Sequence, residues 1–98
     1  MRISFAAGAR QDITESFQFY RRSSPAAAER FASAINTAID SIARDPQRFL
    51  LIRQGVRACS LVGFPFQVVY RQNSQENDLL ILAIAHAKRQ PGFWRDRG

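Results

Sequence analysis

The stretch 79-LLILAIAHAKRQPGFW-94 joins an unbroken apolar run to a basic and aromatic tail. Seven apolar residues, Leu79 to Ala85, follow one another without the alternation of a strand that has one face in solvent. A strand that is apolar on both faces is usually covered on both faces and lies inside a sheet. The run therefore predicts an interior strand, and His86 stands at its end.

Three shorter segments are typical of strands. Arg2–Ala6 alternates polar and apolar residues, while 55-GVRACSL-61 and 66-FQVVYR-71 flank the Gly- and Pro-containing turn 62-VGFP-65. The polar segment 73-NSQEND-78 separates the third of these strands from the apolar run. We expect the first strand to pair beside the interior strand.

The segment after the first strand has the apolar period of a helix. Ile13, Phe17 and Tyr20 fall on one face of a helix that we expect over Ala9–Arg22. The apolar residues that come next are also spaced as on one face of a helix. They predict a second helix directly after the first.

This second helix has clear boundaries. Ser24 is a good N-cap, Pro25 suits the first helical position, and 45-DP-46 ends the helix after about Arg44. Its apolar stripe comprises Ala28, Phe31, Ile35, Ala38, Ile39 and Ile42. The order β-α-α-β-β-β predicts an α+β fold with a mostly antiparallel sheet packed against an N-terminal helical hairpin.

Length and composition predict one domain over residues 1–98, with a hydrophobic fraction of 46%. No apolar run approaches the roughly 20 residues of a membrane span, and no signal peptide is evident near the N-terminus. The single cysteine, Cys59, cannot form an internal disulfide. We therefore expect a cytoplasmic protein that does not enter a membrane.

The charge is strongly basic, with a formal net charge of +6 and a pI of about 11.0. Residues 1–49 contribute +2 and residues 50–98 contribute +4. Positive surfaces attract phosphates, acidic proteins or anionic membranes. The surface that meets a partner is therefore expected in the second half of the chain.

Few residues in the chain are suited to metal or cofactor chemistry. One histidine and one cysteine make no ligand cluster, and the sequence has no Gly-rich phosphate loop. We expect no metal and no cofactor. His86 has two interpretations: it bonds to backbone at a strand end, or it acts as an acid, base or hydrogen-bonding group beside basic residues.

Several cations follow or lie on the predicted strands. Taken singly, Arg53, Arg57 and Arg71 are typical of solvated surface arginines. Neighbouring strands can nevertheless bring them together with Lys88 and Arg89 on one side of the sheet, as an anion-binding surface.

The aromatic tail has alternative interpretations as well. Phe93 and Trp94 either fold back over the core, anchor a partner, or stack on a nucleic-acid base. Arg95 adds another positive charge directly after them.

The chain resembles the ParE/RelE superfamily of toxins from bacterial type II toxin–antitoxin modules. The likeness spans essentially the whole chain and is strongest at 81-ILAIAHAKRQPGFW-94, with support from 9-ARQDI-13, 45-DP-46 and 68-VVYR-71. The tail is similar to the AHxxRxPxYW ending of plasmid-stabilisation members, with Phe93 where tyrosine is common.

The resemblance implies two activities on one fold. RelE-like members cut messenger RNA on the ribosome without a metal, using basic residues with a tyrosine or histidine. ParE-like members inhibit DNA gyrase. A third alternative is an inactive member that only binds its partner.

If the chain is a nuclease, the resemblance implies His86, Arg57, Arg71 and Arg89 as the catalytic residues. However, no tyrosine follows Tyr70, and neither Phe93 nor Trp94 exchanges a proton as tyrosine can. The missing tyrosine favours the ParE-like, gyrase-inhibiting activity, with ribosome-dependent mRNA cleavage as the alternative.

The resemblance further implies a toxin–antitoxin hetero-oligomer with an acidic, partly disordered antitoxin, which matches the basic charge of this chain. We expect the apolar groove between the helical hairpin and the sheet to take apolar side chains of the antitoxin. The residues expected to bind the antitoxin or the target are Arg53, Arg57, Arg71, His86, Lys88, Arg89, Phe93, Trp94 and Arg95.

Overall fold

A computed structural model describes residues 1–73, 75–89 and 92–97. Ser74 of the predicted polar turn and Pro91 of the tail motif lie outside the described residues. In chain order the elements are β1 (Arg2–Phe5), α1 (Ala7–Ser23), α2 (Pro25–Arg44), β2 (Leu50–Arg53), β3 (Val56–Ser60), β4 (Phe66–Asn73) and β5 (Asp78–His86).

The five strands form one sheet in the order β1-β5-β4-β3-β2. β1 pairs with β5 in parallel, and the other neighbours pair antiparallel. This arrangement confirms the α+β class, the mostly antiparallel sheet and the pairing of the first strand beside the interior strand. α2 spans the predicted residues, whereas α1 begins two residues earlier than expected, at Ala7.

The strand β2 is an addition to the predicted order. Its four residues are all exposed, so their burial gives no alternation for a sequence pattern to reveal. β2 pairs with β3 through a two-residue turn in which Gly55 has a φ of 74°. A Gln-Gly turn is a weaker hairpin signal than Asn-Gly, which explains why the sequence did not predict this strand.

A β-bulge explains why β5 lacks alternation. In the pairing of β4 with β5, Leu82 is the extra residue on β5. The consecutive residues Leu82 and Ala83 therefore share the face on which Trp94 packs, while Ile81 and Ile84 face the helices. The predicted cover on both faces of this strand is confirmed.

The helical hairpin covers one face of the sheet. Ser24 caps α2 as predicted, since its Oγ accepts a hydrogen bond from the backbone N–H of Ala27 at 3.3 Å. Phe31 belongs to an aromatic cluster with Tyr20 and with the two phenylalanines that flank Pro65. The six residues of the predicted apolar stripe of α2 are all buried: Ala28, Phe31, Ile35, Ala38, Ile39 and Ile42.

Tyr70 fastens the sheet to the loop that follows α2. Its side chain is fully buried, and its hydroxyl donates a hydrogen bond of 2.6 Å to the carbonyl oxygen of Pro46. Burial raises the pKa of Tyr70 from its ordinary value of 10.0 to about 12. The folded state therefore holds the neutral phenol more strongly than the unfolded chain does.

We expect Tyr70→Phe to lower the free energy of unfolding by about 1–2 kcal/mol at neutral pH, because the carbonyl of Pro46 loses its donor. Urea unfolding at a series of pH values measures this loss. Between pH 10 and 12 the unfolded wild type loses the Tyr70 proton while the folded wild type keeps it, so the wild type loses stability. The gap between wild type and variant should close over that interval, and a gap independent of pH would contradict this account.

Candidate functional site

A basic cavity lies on the face of the sheet opposite the helices. Its volume is about 510 Å³. Its floor includes Val69 and Ala85, and Ile52 of β2 lies at one side. Six of the residues expected to bind a partner line it: Arg53, His86, Arg89, Phe93, Trp94 and Arg95.

The charged residues that line this cavity all carry the same sign. Three arginines and a histidine line it, and its described lining contains no carboxylate. Arg53 and Arg95 are exposed, so their guanidinium groups can reach a partner. Such a set of forked donors is suited to carboxylates or phosphates of a partner macromolecule.

The C-terminal segment, residues 92–97, forms one wall of the cavity. The segment begins at Gly92, whose φ of 83° suits glycine, and turns through a hydrogen bond from the N–H of Arg95 to the carbonyl of Gly92. Trp94 is only 7% exposed and packs on the sheet, whereas Phe93 is half-buried. Of the interpretations given by the sequence, the structure thus has Trp94 folded back over a core.

Two guanidinium groups lie close to the ring of Phe93. The Cζ atom of Arg89 is 3.6 Å from the centroid of its ring, and that of Arg97 is 5.0 Å away. Cations at these distances are attracted to the face of an aromatic ring. Phe93 therefore helps to hold Arg89, which follows β5 and lines the cavity.

Asp12 of α1 was not among the residues that the sequence indicated. Its side chain is buried, and Oδ2 accepts hydrogen bonds from Arg97 at 2.7 Å and from the backbone N–H of Ile84 at 3.1 Å. Oδ1 pairs with Nη1 of Arg89 at 3.3 Å. The sequence carries two signals for it: Asp12 belongs to the stretch 9-ARQDI-13, and its position one before Ile13 places a carboxylate at the border of the buried face of α1.

His86 is held by the backbone of the turn that follows β5. Its Nδ1 accepts a hydrogen bond of 3.0 Å from the N–H of Lys88, and its ring lies edge-on to Phe66 with 4.8 Å between centroids. With Nδ1 used as an acceptor, the neutral ring carries its proton on Nε2. In this arrangement the Nε2–H of the ring is the group available to donate a hydrogen bond to a ligand.

Three of the expected binding residues lie outside the cavity lining. Arg57 faces the helices, because it pairs directly with Tyr70, and its Nη1 donates to the carbonyl of Phe49 at 2.8 Å. Arg71 pairs with Val56, so it lies on the face of the sheet away from the helices, opposite to the face of Arg57. Lys88 is exposed in the turn after β5. The structure therefore does not bring Arg57 and Arg71 together.

An apolar groove of about 860 Å³ lies between α2 and the β3–β4 side of the sheet, where the sequence predicts one. Arg30 and Arg48 also line it, and Val62 is 86% exposed in it. Burial raises the pKa of the Cys59 thiol, which lines the groove. Apolar and aromatic residues of the groove include Ala34, Ala38, Phe49, Val62 and Phe64.

Over residues 1–73, 75–89 and 92–97, the helices are too short or too polar to cross a bilayer. The same part of the chain contains no group of three side chains placed to hold a metal ion.

A helical hairpin packed on a five-stranded mixed sheet defines the class of small α+β proteins that includes the ParE and RelE toxins. The family model described as "ParE toxin of type II toxin-antitoxin system, parDE" matches residues 3–91. The chain belongs to the ParE toxin family. Membership in a toxin–antitoxin family implies an antitoxin as partner.

Solved structures agree in fold. The chromosomal ParDE toxin–antitoxin system from P. aeruginosa is similar with a TM-score of 0.75 at 18% identity, covering 90% of this chain and 97% of that chain. The isolated E. coli RelE toxin is similar with a TM-score of 0.58 at 11% identity, covering 96% and 92%. No curated protein sequence matches the chain closely enough to add to these findings.

We expect Phe93→Leu to lower the free energy of unfolding by about 1 kcal/mol, because Arg89 and Arg97 lose their aromatic partner. Phe93→Trp should retain most of that stability, since indole is a stronger partner for a cation. Urea unfolding measures both, with Phe19→Leu as control because Phe19 is 60% exposed. Equal losses at positions 93 and 19 would contradict the importance of the guanidinium contacts.

Proposed function

We propose that this chain is the toxin of a ParDE-type module, that it inhibits DNA gyrase through the basic cavity, and that an acidic antitoxin neutralises it by binding the apolar groove. The observation that carries this proposal is the cavity that brings Arg53, Arg89 and Arg95 together on the face away from the helices. The chain would act as one domain in the cytoplasm, where gyrase works.

The chemistry of the cavity supports inhibition over RNA cleavage. Metal-independent cleavage of RNA needs groups that remove and supply protons. Position 93 holds phenylalanine, and the Nδ1 lone pair of His86 is occupied by the N–H of Lys88. What remains is a set of cations and hydrogen-bond donors, which is suited to binding an acidic surface.

The exposure of the cavity residues supports a protein-sized target. Arg53 and Arg95 are exposed, and the side chain of Arg89 keeps 47% of its surface accessible although it contacts Asp12. Aromatic residues and arginine are the residue types that dominate binding energy at protein interfaces. Phe93 beside these arginines gives the cavity both types.

The groove supports a separate role for the antitoxin. It is lined on one side by α2 residues spaced by three or four positions, among them Ala27, Ala34 and Ala38. An amphipathic segment that folds on binding can fill such a groove with its apolar side chains. Arg30 and Arg48 are placed to meet acidic residues of that segment.

The first test is supercoiling of relaxed plasmid by purified gyrase in the presence of the purified chain. We expect the wild type to inhibit, and Arg53→Glu with Arg95→Glu to lose at least about tenfold in potency, because two favourable contacts become repulsive. The matched control is Arg10→Glu with Arg22→Glu, which changes net charge equally on the exposed surface of α1.

The same variants expressed in bacteria identify the target. Under the proposal DNA synthesis falls before protein synthesis, and the cavity variant spares both. If the control pair loses as much potency as the cavity pair, the loss reflects the net charge of the protein, and the cavity would not be the site that binds gyrase. An early fall in protein synthesis with cleaved messenger RNA would overturn the proposal in favour of a RelE-like activity.

The groove has its own test, which is antitoxin binding measured by calorimetry with the antitoxin encoded beside this chain. We expect Val62→Asp to weaken binding about tenfold or more, because an exposed apolar contact of roughly 1.5 kcal/mol is lost and a negative charge faces an acidic partner. Leu50→Asp is the control, since Leu50 is 66% exposed and lies outside the groove lining. Unchanged affinity in Val62→Asp would place the antitoxin elsewhere.

A further inference from the structure

Asp12 joins the helical hairpin to the C-terminal segment across the edge of the sheet. We propose that Asp12 is the positioning residue of the basic cavity: its carboxylate holds the segment through Arg97 and so sets the cavity wall that carries Phe93, Trp94 and Arg95. This inference rests on the proposed function for its biological meaning, but the geometry that carries it is independent of which target the cavity binds.

The first argument is the unpaired edge of β5. β1 ends at Phe5, which pairs with Ile81, and the N–H of Ala6 bonds to the carbonyl of Ile81. Beyond that point β5 has no strand on this side among the described residues. Asp12 accepts the N–H of Ile84, and Arg97 donates to the carbonyl of Leu82 at 3.1 Å.

Beyond the end of β1, the side chains of Asp12 and Arg97 therefore take the place of a neighbouring strand as hydrogen-bond partners of β5. Oδ2 of Asp12 and Nη1 of Arg97 lie 2.7 Å apart, and a second guanidinium nitrogen lies 3.5 Å from Oδ1. Each side chain satisfies one backbone group of β5 as well as its partner. A buried carboxylate is tolerated when donors surround it in this way.

The second argument is the space made for Arg97. A Cβ atom added at Gly8 would overlap the guanidinium of Arg97. Gly8 lies in the first turns of α1, where alanine is favoured over glycine by helix propensity. Glycine at this position leaves the guanidinium its place beside Asp12, and Gly8→Ala makes this flexible group shift without removing any charge.

The third argument is the wall itself. Arg89 contacts Asp12 and stacks on Phe93, which also lies against Arg97. Trp94 precedes this anchor by three residues, and the N–H of Arg97 bonds to its carbonyl at 3.0 Å. Release of Arg97 therefore frees the wall of the cavity while the groove on the other face keeps its lining.

The sole tryptophan of the chain gives a direct readout, because Trp94 belongs to the segment and is buried. We expect Asp12→Ala, Arg97→Ala and Gly8→Ala each to raise acrylamide quenching of Trp94 several-fold and to shift its emission to the red, with unchanged helical circular dichroism. Asp12→Ala added to Arg97→Ala should change little further.

Two controls match these variants. Asp78→Ala removes an aspartate from the exposed ion pair with Arg2, and Thr14→Ala raises the helix propensity of α1 away from Arg97. Both should leave the quenching of Trp94 unchanged. Gly8→Ala raises the helix propensity of α1, so it is not expected to destabilise the helix. Greater quenching of Trp94 in this variant would therefore report a displaced C-terminal segment rather than a loss of stability.

Function is then read on the folded variants. We expect loss of gyrase inhibition in Gly8→Ala and Arg97→Ala, with antitoxin affinity at the groove retained. If wild type does not inhibit gyrase, the proposed function fails, and quenching of Trp94 still decides the positioning role. Trp94 that stays protected in folded Gly8→Ala and Arg97→Ala would overturn that role, and these two variants decide it if Asp12→Ala does not fold.

Discussion

β5 is apolar on both faces, and this constraint organises the rest of the chain. Its bulge at Leu82 puts two consecutive side chains on the face away from the helices, so that face needs a cover of its own. The helical hairpin supplies the cover on one side, and the C-terminal segment with Trp94 supplies it on the other. The C-terminal segment, residues 92–97, thus contributes to packing as well as to charge.

The basic cavity is a consequence of this packing. Once Trp94 lies on the sheet, Phe93 and Arg95 are carried to positions beside the end of β5, where His86 and Arg89 already stand. The cavity therefore depends on a hydrophobic contact for its shape and on arginines for its charge. One acidic residue from α1, Asp12, connects these two requirements, because it neutralises Arg97 where the segment meets the sheet edge.

The two concave surfaces lie on opposite sides of the sheet. The groove is built from α2 and the helix-facing side, while the cavity is built from the far side and the C-terminal segment. Under the proposed function, an antitoxin bound at the groove would inhibit the cavity through steric cover or a change of shape, since the two surfaces share none of the described lining residues. This separation is what makes variants at Val62 and at Arg53 informative about different partners.

The sequence by itself determined the elements whose signals are local. The apolar stripe of α2, the Ser24 cap and the two-sided burial of β5 follow from periodicity and capping, and the structure has them as predicted. It also indicated six of the residues that line the cavity, and five of these six stand at the end of β5 or follow it in the chain. β2 was missed since its residues are exposed and carry no pattern.

Tertiary structure alone decided which charged residues meet. Arg57 and Arg71 lie on neighbouring strands but on opposite faces, because register sets the face of each strand residue and the sequence does not state the register. Asp12 and Arg97 stand 85 positions apart, and no local rule links them. Their contact exists because the bulge in β5, the end of β1 and the fold-back of Trp94 bring one carboxylate and one guanidinium to the same unpaired stretch of backbone.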